Sequence, residues 1–273
     1  MEKLQAALDK ARKSREKETA VSDAVSVSPP PRKVARPTSL DAMWQNLSTF
    51  DVTDEQLLRH RVVTREATSA AAPFDILRTK VLLQMRQNGW TRLGITSPMP
   101  QSGKTTTACN LALGLGRQRD LRAILMDTDL RDPSVHEFFQ TIPSHGIGEL
   151  LSGQVGFEEQ AVRIGDNVAC SMAIQPESDP TRMLLAEETA NVIARIEEEY
   201  KPDIMIFDLP SVLPRDDTRA FLKNVDCALI VIRANTTRYK QFDKCEREVS
   251  EHTNVLGVVL NAHMNTSDFM QDE

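Results

Sequence analysis

Gly103-Lys104-Thr105-Thr106 closes the segment Ile95-Thr-Ser-Pro-Met-Pro-Gln-Ser-Gly103-Lys104-Thr105-Thr106. These residue types at this spacing suit the holding of a phosphate. Gly103 lets the backbone approach closely, and the N–H groups of Ser102, Gly103, Lys104, Thr105 and Thr106 can converge on phosphate oxygens at a helix start. Lys104 can reach the β- and γ-phosphates, and the Thr105 hydroxyl can ligate Mg²⁺. The first glycine of the usual motif is absent, and Pro98 stands in its place. Two further acidic signals follow. Leu125-Met-Asp127-Thr-Asp129-Leu-Arg131-Asp-Pro133 ends one apolar run, and Ile204-Met-Ile-Phe-Asp208-Leu-Pro210 ends another. One of Asp127 and Asp129 can contact a metal's water shell or accept a proton from an attacking hydroxyl. Asp208 occupies the place of the second Mg²⁺ contact in phosphate-loop NTPases.

Such groups need a frame that brings strand ends together. Apolar runs at 92–96, 123–126, 168–173, 204–207, 228–232 and 255–260 read as strands. The second, fourth and last two are nearly all apolar and are expected to be buried on both faces. Amphipathic stretches at 104–118, 133–140, 180–200, 218–223 and 239–252 read as helices. Asp132-Pro133 and Asp179-Pro180 each offer an N-cap followed by a proline at the first helical position. Strand–helix alternation predicts an α/β fold: a doubly wound, mostly parallel sheet of the phosphate-loop NTPase type, with helices on both faces and ligands at the carboxyl ends of the strands. Upstream, 41–47 and 53–61 read as short helices. Pro73 opens a longer one that presents Phe74, Leu77, Val81, Leu82 and Met85 and stops at Asn88-Gly89.

Composition narrows the classes. The 273 residues carry 33 Lys/Arg against 39 Asp/Glu, a formal charge of −6, which argues against nucleic-acid coating. Residues 1–40 hold nine basic and five acidic side chains, leaving −10 for 41–273. Residues 1–19 read as a basic helix with a short Leu4/Ala7/Leu8/Ala11 stripe, suited to a docking partner or to weak contact with anionic lipid. Residues 20–38 read as a Pro/Ser-rich linker, 39–72 as a helical lead-in, and 73–273 as the ATP-binding domain. No apolar run reaches the roughly 18 residues of a membrane span, and no signal region is present at the N-terminus. Cys109, Cys170, Cys227 and Cys245 form no Cys-x-x-Cys, and the five histidines have no ligand spacing. The expected setting is the reducing cytoplasm. Trp44 and Trp90 read as packing residues.

At this point a resemblance becomes specific. Thr96-Ser97-Pro98, Pro100, Gly103-Lys104-Thr105 and Asn110-Leu111-Ala112 resemble the phosphate loop of the bacterial tyrosine kinases of capsule and exopolysaccharide synthesis. The 125–133 segment resembles that family's second acidic motif. Gly146-Ile-Gly-Glu-Leu-Leu-Ser-Gly153 resembles its GLSDLLSG stretch, Phe207-Asp208-Leu-Pro210 with Asp216-Asp217 its third motif, and Val255-Leu-Gly-Val-Val-Leu-Asn261 its final strand. The resemblance covers about residues 70–263. It implies a Mg-ATP-dependent protein-tyrosine kinase of the cytoplasm, phosphorylating its own tyrosines in trans. It also implies a peripheral place at the inner membrane, beside a polysaccharide chain-length (co-polymerase) protein, and a homo-oligomer. Carried over by position, Lys104 and Thr105 hold phosphates and Mg²⁺, Asp127 is the base candidate, and Asp129 supports the site. Asp208 completes the metal's coordination through water, and Asn261 touches adenine.

Three departures accompany the resemblance. Gln101 replaces a residue that is usually glycine, so a stiffer loop is expected. The family's Glu-x-x-Arg-x-x-Arg oligomer motif falls on Ala72, Asp75 and Arg78, of which only Arg78 matches. The tail from Asn261 to Glu273 has no tyrosine, and the chain has only Tyr200 and Tyr239, both near helix ends where an acceptor could be reached. Little autophosphorylation is therefore expected. A second reading is a nucleotide-gated ATPase that switches its grip on a polysaccharide transporter without phosphorylating protein. A third, a partition or division-positioning ATPase, calls for a lysine near the loop start, where this chain has Ser97-Pro98-Met99.

Overall fold

The computed structural model describes residues 39–263, so the expected helix at 1–19 and linker at 20–38 lie outside the described residues. The elements run α1 (Leu40–Asn46), β1 (Ser48–Thr49), α2 (Asp54–Arg59), α3 (Ala72–Asn88), β2 (Arg92–Thr96), α4 (Lys104–Gly116), β3 (Ala123–Asp127), α5 (Val135–Phe139), α6 (Ile147–Leu151) and α7 (Phe157–Gln160). They continue with β4 (Val162–Ile164), β5 (Val168–Ser171), α8 (Pro180–Leu185), α9 (Glu187–Tyr200), β6 (Ile204–Asp208), α10 (Asp217–Leu222), β7 (Cys227–Arg233), α11 (Tyr239–Ser250) and β8 (Asn254–Asn261).

The sheet order is β1-β4-β5-β3-β6-β2-β7-β8. Every pairing is parallel except the β4–β5 pair. Alternate side chains of the central strands enter opposite cores, as a period of two requires. Ile124, Met205, Phe207 and Ile230 pack with α9, whereas Leu125, Ile204, Ile206 and Leu229 pack with α4. Both faces are thus covered, and the doubly wound expectation holds.

The lead-in packs into the same cores. Trp44 and Leu47 join the α9 side, while Val52, Leu57 and Val62 join the α4 side. Trp44 donates its indole N–H to the Tyr200 carbonyl (2.8 Å), and its ring meets the Tyr200 ring edge-on. Helix α2 begins with a capping box between Thr53 and Gln56. It ends in a Schellman arrangement: Val62 N–H donates to Leu57 O, Arg61 N–H donates to Leu58 O, and Arg61 takes φ +58.

The structure corrects several sequence expectations. Asp132-Pro133 does not start a helix. Helix α5 begins at Val135, with Ser134 at the N-cap position. The stretch 180–200 is two helices broken at Ala186 (φ −61°, ψ 142°), although Asp179 caps the first as expected by accepting from Arg182 N–H. The buried face of α9 (Thr189, Val192, Ile193, Ile196) would, continued upstream, turn Leu185 inward. Instead Leu184 is buried and Leu185 exposed, and the extended residue absorbs that change of phase. The last strand is not buried on both faces. β8 pairs only with β7, and Val258 and Leu260 are exposed along this edge. β1, β4, α6 and α7 are two to five residues each, too short to show a period. Among the described residues no helix is long and apolar enough to cross a membrane.

Candidate functional site

β2, β6 and β3 lie side by side, so their carboxyl ends form one crevice. β2 leads into the loop 97–103, and α4 starts at Lys104. Within the loop, the Ser97 and Ser102 hydroxyls both donate to the Met99 carbonyl at 2.8 Å, and Thr107 Oγ1 donates to Gly103 O. Gly103 has φ +91, a backbone that strains any L side chain. A Cβ there would lie 2.0 Å from Asn261 Nδ2, which itself donates to the Ser102 carbonyl (2.9 Å). Asn261, at the end of β8, is therefore fastened to the phosphate loop.

Asp127 and Asp208 are paired across β3 and β6 in the same register. Both are fully buried, yet they do different work. Asp127 Oδ2 accepts the N–H groups of Ser134 (3.2 Å) and Val135 (3.1 Å), so this carboxylate caps α5 in place of the expected Asp132. Its Oδ1 accepts Asp129 N–H (3.3 Å). Burial, and then the nearby Asp208 charge, push the Asp127 carboxyl well above its usual range, and the Val135 and Ser134 N–H groups only partly offset this.

Asp208 Oδ2 accepts the Thr105 hydroxyl at 2.6 Å. Its Oδ1 is buried with no hydrogen-bond partner among the described residues. Burial pushes Asp208 up to about 6, against the lowering influence of Lys104 and Thr105. A buried, unpaired carboxylate oxygen is costly unless something positive or a donor completes it. Together with the Thr105 hydroxyl, that oxygen fits an Mg²⁺ ion or one of its waters. Among the described residues no group of three or more His, Cys, Asp or Glu could hold a metal. This fits Mg²⁺ taken with few protein ligands and completed by phosphate and water.

Lys104 Nζ donates to Asp129 Oδ2 at 3.0 Å. Burial pulls the Lys104 pKa down, but Asp208, Asp129 and Asp127 outweigh it and the net shift is upward, so the ammonium keeps its charge. A cleft of about 440 Å³ opens over these groups. Of the residues singled out in the sequence, Gly103, Lys104, Thr105, Thr106, Asp129 and Asn261 line it, whereas Ser102, Asp127 and Asp208 lie behind its surface.

The sequence reading missed other lining residues: Arg61, Phe74, Asp132, Ser134, Phe138 and Arg233. Ser134 and Phe138 follow directly on the acidic motif, a signal within reach of the sequence. Arg233, at the end of β7, donates to the Gln101 carbonyl (2.8 Å). Arg131, quoted within the motif but given no role, ties the Asp127–Asp129 loop to α10 through a two-pronged contact with the buried Asp217 (2.5 and 3.1 Å).

Of the two tyrosines, Tyr200 is 2% exposed and packed against Trp44 and Phe157, which corrects the expectation that it is reachable at a frayed helix end. Tyr239 is 78% exposed. Arg78, the one matching residue of the oligomer motif, is turned inward. It donates to Asp75 and to the Gly114 carbonyl, both at 2.9 Å.

No protein-family model matches the chain. The chain is 30% identical over 193 residues to the tyrosine-protein kinase YwqD of Bacillus subtilis, covering 69% of this chain and 79% of that protein. It spans about a quarter of the length of several other curated relatives that it matches, tyrosine-protein kinases or putative ones. Its fold is similar to the kinase domain of the Escherichia coli tyrosine kinase ETK, with a TM-score of 0.67 and 24% identity over 74% of this chain and 79% of that one. It is also similar to cobyrinic acid a,c-diamide synthase of Mycobacterium smegmatis, a structure with a bound ATP analog and magnesium. There the TM-score is 0.54 at 19% identity, over 63% of this chain and 72% of that one.

Proposed function

The chain belongs to the bacterial tyrosine-protein kinase family, and from that premise we propose that it is a Mg-ATP-dependent, tyrosine kinase-like component of exopolysaccharide or capsule synthesis and export. In this reading it works in the cytoplasm, peripheral to the inner membrane, and regulates polymer chain length or secretion with an inner-membrane partner. The observation that carries the proposal is the meeting of Lys104, Thr105 and Asp208 at adjacent strand ends, with one Asp208 oxygen buried and unpaired.

Mg-ATP supplies the phosphoryl group and the charge neutralisation that its transfer requires. Lys104 carries the positive charge that phosphate oxygens need. Thr105 and Asp208 hold the metal side. The backbone of Ser102 to Thr106 offers N–H groups at the start of α4, and Asn261 locks the loop and borders the nucleotide. The proton of an acceptor hydroxyl has two candidate receivers. Burial raises the Asp127 carboxyl pKa, but the group is enclosed and spends its oxygens on backbone N–H groups. Asp129 lines the cleft. Access decides before basicity, so we assign proton acceptance to Asp129 and the holding of the motif to Asp127.

The second reading, an ATPase that switches its grip on a transporter without phosphorylating protein, is favoured by the burial of Tyr200. The inward-turned Arg78 supports an assembly that does not use the family's oligomer motif. Incubation of the purified protein with labelled ATP and Mg²⁺, followed by phospho-amino-acid analysis and peptide mapping, separates the two. The kinase reading expects phosphotyrosine on an added or co-purified partner, with any self-label on Tyr239, none on Tyr200, and all of it lost in Lys104→Met. ATP hydrolysis without any phosphotyrosine supports the gated ATPase. Unchanged turnover in Lys104→Met refutes the site.

A further inference from the structure

Arg61 comes from the lead-in segment, 43 positions before Lys104, and lines the same cleft. Its backbone sits at φ +58, a conformation in which L side chains are strained and where glycine or asparagine usually ends a helix. The strain is held from several sides. The buried Asn110 of α4 donates to the Arg61 carbonyl (3.0 Å) and to the Thr106 carbonyl (2.8 Å), and accepts Val63 N–H (2.9 Å). Thr64 Oγ1 donates to the Asn110 carbonyl (2.6 Å). The helix that precedes Arg61 is docked on α5 and its C-terminal end through Gln56–Gln140 (2.8 Å) and, from the cap residue His60, the His60–Phe138 ring contact (4.6 Å). The phosphate-loop helix thus fixes where Arg61 points from. The side chain is exposed, and among the described residues its guanidinium has no hydrogen bond or ion pair.

We propose that Arg61 contacts the terminal phosphate of a nucleoside triphosphate bound on Lys104 and Thr105. The inference rests on the nucleotide site proposed above. Two observations place it at the terminal-phosphate end. Arg61 lines the cleft next to His60, which stacks on Phe138, and with Asp132 and Ser134 at the end of the acidic motif of β3, while β7 and β8, which lie on the other side of β2 in the sheet, contribute Arg233 and Asn261. Lys104, the other cation near that motif, is already shared with Asp129. A planar guanidinium with several donors suits phosphate oxygens better than a second ammonium.

The test is calorimetric titration of the full chain with Mg-ATP and Mg-ADP. Arg61→Asn is the informative variant, because asparagine tolerates the left-handed backbone while removing the guanidinium and its reach into the cleft. The expected result is a roughly tenfold weaker ATP affinity, with ADP affinity changed less than about twofold and the melting temperature kept. Arg61→Lys should recover part of the ATP affinity. Equal weakening for ATP and ADP, or no change in either, overturns the proposal. Lys104→Met run alongside separates the layers: if it weakens neither nucleotide, the site itself falls and the inference with it. If it weakens both while Arg61→Asn weakens neither, only the Arg61 assignment falls.

Discussion

On the strand-end side of the cleft, Lys104, Thr105, Asp127, Asp129 and Asp208 are held by one another and by neighbouring backbone, in regular geometry. On the rim, position comes from enforced backbone instead. Among the described residues six non-glycine residues have positive φ, and three of them, Arg61, Gln101 and Ala262, line the cleft. The first side is a burial problem: Lys104 is paired with Asp129, while burial raises the pKa values of Asp127 and Asp208 and leaves one Asp208 oxygen without a partner among the described residues. The second is a conformation problem: its residues are exposed, and the fold stores strain to aim them. Substitutions on the two sides should therefore fail in different ways.

The sharpest contrast lies within the strand-end side itself. Asp127→Ala orphans the Ser134 and Val135 N–H groups and leaves a gap in a fully buried position. We expect a loss of about 2 kcal/mol of stability, read as a melting temperature lowered by roughly 4–8 °C. Asp129→Ala removes a carboxylate that lines the cleft but is itself buried, pairs with Lys104 and accepts Asp132 N–H. It should cost stability as well, so Asp129→Asn, which keeps the shape, is the cleaner variant. Its melting temperature should fall less than that of Asp127→Ala, while phosphoryl transfer or ATP turnover falls on the order of 10²-fold. If Asp129→Asn keeps its turnover and Asp127→Asn loses it without unfolding, the proton acceptor is Asp127 after all.

The sequence showed the first side far better than the second. Apolar runs ending in Asp127 and Asp208, and a strand running into Gly103-Lys104-Thr105, are local patterns whose chemistry follows from adjacency in the chain. Pro73 and Asn88-Gly89 likewise bracket a helix because their backbone limits act within a few residues. The rim depends on contacts that no window spans. Asn110 reaches Arg61 across 49 positions, and Trp44 covers Tyr200 across 156. That second contact is why a tyrosine at a helix end looked reachable and is not. The capping of α5 by Asp127 was hidden for the same kind of reason, since Asp132-Pro133 carried the local signature and a strand-end carboxylate supplied the bonds.

The pH response, taken as a difference between variant and parent, should report the burial side. Asp208 ionises near 6 in the folded protein and near 3.9 when unfolded. Between those values the folded state binds the extra proton, so this group's stabilising contribution is complete below about pH 4 and is lost as pH rises through 6. Other carboxylates act in the opposite sense: Glu149 and Glu248 are lowered by hydrogen bonds, from His145 and Arg219 respectively. The measurement is therefore a difference. In chelator-treated protein, denaturant unfolding of Asp208→Asn should gain on the parent by about 2 kcal/mol between pH 4 and 7. A flat difference would mean that Asp208 is not the strained charge of the pair.

The smallest effect belongs to the rim. Gln101 sits at φ +60 in the phosphate loop, with its side chain exposed and its carbonyl accepting from Arg233. The left-handed backbone costs an L residue roughly 1–2 kcal/mol, and glycine removes that cost while adding about 0.5–1 kcal/mol of unfolded-chain entropy. Gln101→Gly should thus stabilise by about 0.5 kcal/mol, a rise of roughly 1–2 °C in melting temperature. It leaves the carbonyl and its Arg233 contact in place, so nucleotide affinity should change little at equilibrium. Faster nucleotide exchange in stopped-flow would show that the loop carried the stiffness expected of a non-glycine residue there. A lower melting temperature would mean that the Gln101 side chain makes a favourable contact outweighing its strain, and that enforced backbone is not what holds this part of the rim.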